Sequence, residues 1–98
     1  MKKFSYKMFS NGDNILALAD KEILGKTFKD KDLEIDISKD FYHEGFCDEK
    51  ELLMLVKKSS IVNAMGKESI DFLIKNKFAD KDVVLKPCGI PHVQIVTV

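Results

Sequence analysis

The sequence has no arginine and no tryptophan, only two prolines, two cysteines and two histidines, and no long apolar run. Each scarcity excludes something. Without arginine, the chain cannot form the bidentate fork that reads guanine or clasps phosphate, so no DNA specificity is implied. Lysine supplies all sixteen positive charges, and sixteen acids cancel them, so bulk charge does not indicate a strongly basic nucleic-acid binder. The apolar runs stop at five residues, Ile15 to Ala19 and Leu52 to Val56. That is too short for a membrane span or a signal-peptide core. The expectation is a cytoplasmic protein with no membrane partner. Cys47 and Cys88 are too few for a disulfide framework. They read as free, partly buried thiols, because pairing them requires an oxidising compartment that nothing in the sequence announces. Gly12, Gly25 and Gly45 are isolated and form neither a phosphate-binding loop nor a dinucleotide fingerprint.

What is present is a well-mixed chain of 98 residues, 45% hydrophobic and 33% charged. That suits one domain over residues 1–98 and argues against disorder. Phe4, Tyr6 and Met8 alternate with polar residues as one face of a strand. Asn11-Gly12 is a hairpin signal, and Ile15 to Ala19 reads as a second, buried strand. Leu33, Ile35 and Ile37 alternate as a third strand, with Phe41 and Tyr42 after it. Asp48 with Glu51 has capping-box spacing and opens a helix that buries Leu52, Leu55 and Val56. Ser59 or Ser60 caps a second, short helix through Ile61, Val62, Ala64 and Met65, interrupted by Gly66. A third helix runs from about Lys67 to Lys77 with Ile70, Leu73, Ile74 and Phe78 inward. Val83 to Leu85 and Val93 to Val98 read as strands on either side of a rigid Pro87–Pro91 turn.

Strands, then helices, then strands predict an α+β fold. Its sheet is expected to be antiparallel and of about five strands: the N-terminal hairpin, the third strand and the two C-terminal strands. Two or three helices pack on one face. Charge is uneven along the chain. Residues 31–56 carry three lysines and eight acids, whereas residues 57–98 carry seven lysines and four acids.

Several residues are candidates for chemistry. His43-x-x-x-Cys47 and Cys88-x-x-x-His92 supply two imidazoles and two thiols, a ligand set that suits zinc. The pairs lie far apart, and recognised zinc spacings differ, so neither a metal nor another cofactor is expected. Either cysteine with His92 is a conceivable thiolate pair, but no nucleophile elbow, oxyanion loop or orienting third residue accompanies it. The junction at Gly66-Lys67 is a helix start that could hold a phosphate, or simply a tight corner. His92 and Gln94 fall on one face of the last strand and form a hydrogen-bonding patch or a pair of solvated side chains. Tyr42 offers a stacking surface for a base, or core packing beside Phe41.

Four segments, taken in order, carry a family resemblance: Leu24-Gly25-Lys26-x-Phe28, Phe41-Tyr42, Asn63-x-x-Gly66 and Gly89-Ile90-Pro91-His92-x-Gln94. The chain resembles, over nearly its whole length, the archaeal domain of unknown function 424. The Gly-Ile-Pro-His-x-Gln segment is the most specific part. The resemblance implies a small cytoplasmic archaeal protein and a link to RNA or translation, but no established activity. His43, Cys47 and Cys88 lie outside the resembling segments.

The expected function is a non-enzymatic binding module whose partner is RNA or a translation component. Its expected surface combines Lys26, Tyr42, Asn63, Gly66, Lys67, Gly89, His92 and Gln94, with lysines for attraction and polar groups for orientation. The alternatives are a small enzyme using His92 as acid or base, and an interaction or oligomerisation module pairing through an edge strand. The geometric expectation is that the Pro87–Pro91 bend lies against the Gly66 junction and shares a polar recess with it.

Overall fold

A computed structural model describes residues 1–97. The N-terminal hairpin forms as its pattern predicts. Strand β1 (Phe4–Asn11) and strand β2 (Asp13–Asp20) pair antiparallel from Phe4↔Asp20 to Asn11↔Asp13. Gly12, at φ 87°, makes the reversal between them. A second hairpin follows, β3 (Thr27–Asp30) with β4 (Leu33–Asp36). Then come a one-turn helix α1 (Lys39–Tyr42), a short strand β5 (Gly45–Cys47) and helix α2 (Glu49–Lys57). Strand β6 (Ile61–Met65), helix α3 (Lys67–Lys75) and strand β7 (His92–Val96) complete the order.

The main sheet runs β5-β1-β2-β6-β7. It is mixed rather than antiparallel, because β2 and β6 run parallel, from Ile15↔Ile61 to Ala19↔Met65. This pairing corrects the helix expected over residues 61–65. Five apolar and small residues carry no period that separates helix from strand. Here the slot beside β2 decides: Ser60 N–H donates to the Asn14 carbonyl (2.8 Å), and the Asn14 amide donates to the Lys58 carbonyl (2.9 Å). The third predicted strand is real but belongs to the separate β3–β4 hairpin, not to the sheet. Val83 to Leu85 is not a strand. Lys81–Val83 is a single 3₁₀ turn, and only Leu85 bridges to the sheet, at His92. The last strand ends at Val96, and Val98, which was expected to extend it, lies outside the described residues.

Helices α2 and α3 share one face of the sheet, as expected, and the other face is covered in part. Helices α2 and α3 bury Leu52, Val56, Ile70, Phe72 and Leu73 against Phe4, Leu16, Leu18, Val62, Ala64 and Val93. The capping box is present, with the Asp48 carboxylate accepting from Glu51 N–H (2.8 Å) and the Glu51 side chain accepting from Asp48 N–H (3.2 Å). On the opposite face Ala17, Ala19 and Met65 meet Ile37 and Tyr42, flanked by Phe28, Ile35 and Ile90. The β3–β4 hairpin and α1 form that second layer. It covers only part of the sheet, and the uncovered part carries the first candidate site.

Candidate functional site

Register sets which side chains share this sheet face, in part beneath the second layer, where Ala17 is wholly buried. Lys7 pairs with Ala17, Ala17 with Asn63, and Asn63 with Gln94, so these four side chains form one row across β1, β2, β6 and β7. The neighbouring row is Phe9, Ile15, Ile61 and Val96. Every member of that apolar row is half-buried or exposed, and Val96 retains 68% of its accessible surface. Phe41 of α1 stacks on Phe9 with centroids 5.3 Å apart, and the Lys7 ammonium lies 5.1 Å above the Phe9 ring. Lys7 is held there by donating to the Asp40 carbonyl (2.7 Å).

Three of the residues expected from sequence meet on this face. The Tyr42 hydroxyl donates to Asn63 Oδ1 at 3.4 Å, and Gln94 lies opposite Asn63. Tyr42 itself is 8% exposed and packs its ring edge-on against Phe41, so it is a buried anchor and not a stacking surface. Burial also pushes its phenol pKa up. Phe41, 38% exposed, takes the stacking position instead. Lys7 and Phe9 were missed because on β1 alone they read as the solvent face of an alternating strand, and only four-strand register aligns them with Asn63 and Gln94.

His92 shares this face, one row further along, opposite Met65. Its Nδ1 lies 3.0 Å from the Ala64 carbonyl, which can only accept, so Nδ1 carries the hydrogen. Lys26 is exposed in the turn before β3, where its carbonyl accepts from Ile37 N–H (2.9 Å). Nothing places its side chain beside Asn63 or Gln94.

The four potential zinc ligands do not converge. Cys47 belongs to β5 at one edge of the sheet, and Cys88 lies in the turn preceding β7 at the other. Four strand spacings of ~4.8 Å separate those edges. Among the described residues no three metal-ligating side chains come together. His43 Nδ1 bonds the Ser5 hydroxyl (2.9 Å), which in turn donates to the Tyr42 carbonyl (2.8 Å). Both thiols are free. Burial, helped by the Glu51 and Asp48 carboxylates, pushes the Cys47 thiol up to about 12, which suits neither a nucleophile nor a ligand. The Cys88 thiol faces the Phe28 and Leu33 carbonyls at 3.7 and 3.6 Å.

The second site is a cleft of about 600 Å³ at the end of the sheet, walled in part by Gly66, Lys67, Gly89 and Pro91. The Pro87–Pro91 bend does meet the Gly66 junction, for Gly66 N–H donates to the Pro91 carbonyl at 2.8 Å. Asn63, His92 and Gln94 are not among the walls, so the expected single recess is two separate surfaces. The start of α3 is already filled. The Asp20 carboxylate, at the end of β2, accepts from Glu68 N–H (3.0 Å), Ser69 N–H (2.8 Å) and the Ser69 hydroxyl (2.7 Å). Lys67 turns to Asp71 at 2.8 Å. The Gly66 junction is therefore a capped corner whose amides hold the chain's own carboxylate.

The fold and these two surfaces define a small α+β protein with a mixed five-stranded sheet and a partly bare sheet face. The family described as protein of unknown function (DUF424) matches residues 9–98, and the chain belongs to that family. Its structure is similar to the crystal structure of an uncharacterized conserved protein from Methanopyrus kandleri. The TM-score is 0.79 at 25% sequence identity, over 97% of this chain and 93% of that one. No curated protein is similar enough to count as a match. Among the described residues no helix is long and apolar enough to cross a membrane.

Proposed function

We propose that the protein is a non-catalytic module that binds single-stranded RNA on the uncovered sheet face. The observation that carries this reading is the pair of aligned rows. Phe41 and Phe9 offer an aromatic platform beside a strip of aliphatic side chains, and the adjoining row offers one ammonium and two amides. Unpaired bases are held by stacking and read by hydrogen bonds to their edges, and amide side chains both donate and accept. The face suits single strands rather than a duplex, because it is broad and carries a single lysine in the two rows. Affinity then rests on stacking more than on counterion release.

Fluorescence anisotropy with a short labelled single-stranded RNA tests this. Saturable binding is expected, with log K falling by only about 0.7 per tenfold rise in salt for each phosphate neutralised. Phe41→Ala is expected to weaken binding by about 1–3 kcal/mol, the usual worth of one stacked base. Absence of binding at low salt, or a Phe41→Ala variant that binds like the wild type, overturns the reading.

A further inference from the structure

We infer that the cleft between the start of α3 and the Pro87–Pro91 turn is a second, independent binding site, for a nucleoside monophosphate. Strands β2 and β6 run parallel, and the cleft opens beyond their carboxyl ends, where Asp20 and Gly66 stand. Crevices outside the carboxyl ends of parallel strands are habitual ligand seats, since the chain leaves the sheet there in diverging directions. A volume of about 600 Å³ is that of a small-molecule pocket.

The chemistry of the walls narrows the class. The floor is aliphatic, built from Ile23, Ile70, Ile74, Val84 and Ile90. A flat, weakly polar ring system can lie on such a floor at little desolvation cost. Three lysines and three acids surround it, but most of this charge is spent internally. Asp20 is turned onto the α3 amides, and Asp71 is paired with Lys67. Lys81 and Lys86 are in no ion pair among the described residues, nor is Glu22. The lining thus includes two exposed lysines and one glutamate outside any ion pair among the described residues. A nucleoside monophosphate presents the complement: a phosphate for the two lysines, hydroxyl or amine donors for Glu22, and a base for the floor. Lysine serves here as a point charge, for which no guanidinium fork is needed.

The test uses the full chain and adenosine 5′-monophosphate, followed by calorimetry and by amide chemical shifts. Saturable binding is expected, with shifts centred on Gly66, Lys81, Lys86 and Gly89. Lys81→Glu combined with Lys86→Glu is expected to weaken it at least about tenfold, as loss of charge-assisted hydrogen bonds requires. Both side chains are exposed, so an unchanged melting temperature verifies that the variant is folded. Adenosine and inorganic phosphate are each expected to bind more weakly than the monophosphate. Failure to saturate by about 10 mM overturns the inference, because binding weaker than about 1 mM is worth less than about 4 kcal/mol. Binding of octanoate in preference to the nucleotide also overturns it, and so does nucleotide binding insensitive to the double substitution. Phe41→Ala leaves this site intact, so failure here and failure of the RNA reading are told apart.

Discussion

Asp20 and Gly66 show how one contact constrains two residues. Gly66 sits at φ 107°, and a Cβ built there would fall 2.4 Å from the Asp20 carboxyl carbon. Gly66→Ala therefore meets both a backbone region reserved for glycine and a carboxylate that must leave the α3 amides. A loss of at least about 2 kcal/mol is expected in urea unfolding. A wild-type midpoint would show that the corner relaxes without the clamp. Cys47 gives a second residue-scale expectation. Its thiol would ordinarily ionise near 9 but is held protonated up to about 12 by burial. The folded chain keeps a proton that the unfolded chain releases, so stability declines as pH rises from about 9 toward 12. Cys47→Ala is expected to decline less steeply over that range in unfolding titrations, and an equal slope would exclude the thiol as the source.

At the scale of elements, β7 is the informative one. Bonds from Gly66 N–H to Pro91 and from Thr97 N–H to Ser60 (2.8 Å) bracket its pairing with β6. Antiparallel alternation then turns the backbone groups of His92, Gln94 and Val96 outward. His92 spends both of its own on Leu85, at 2.8 and 2.9 Å, which leaves Gln94 and Val96 on an open edge. His92–Val96 carries no lysine or acid to blunt that edge, and Val96 is exposed. Such an edge is a template for pairing. Light scattering at rising concentration is expected to show association that Val96→Lys removes. Equal scattering by the two proteins would mean that the edge is inert. Legibility at this scale was uneven. The first hairpin and the α2 cap were readable because their signals are local: alternation around Asn11-Gly12, and Asp48 three residues from Glu51. Strand β6 was not, because Ser59 and Ser60 imitate a helix cap and Ile61–Met65 is too short to declare a period. The α3 cap was invisible, for its carboxylate arrives from Asp20, 49 residues before Ser69.

For the molecule as a whole, what the sequence could not convey is which distant residues become neighbours. His92 and Gln94 were recognisable as one face of a strand, but the strand that sets Asn63 opposite Gln94 was not. Lys7 and Phe9 joined them only through register across four strands, while Gly66, Lys67 and Gly89 went to a different surface. The central place of β6 has a further consequence. Leu16 and Leu18 in β2 are wholly buried, yet the strand beside them is supplied only after residue 60. Until then the inner edge of β2 stays unpaired, with only the three-residue β5 added on the far side of β1. During synthesis the leading half of the chain must therefore wait, sticky and half-formed, for its own middle to emerge. Fragments ending short of Ile61 would be natural clients for chaperones and proteases.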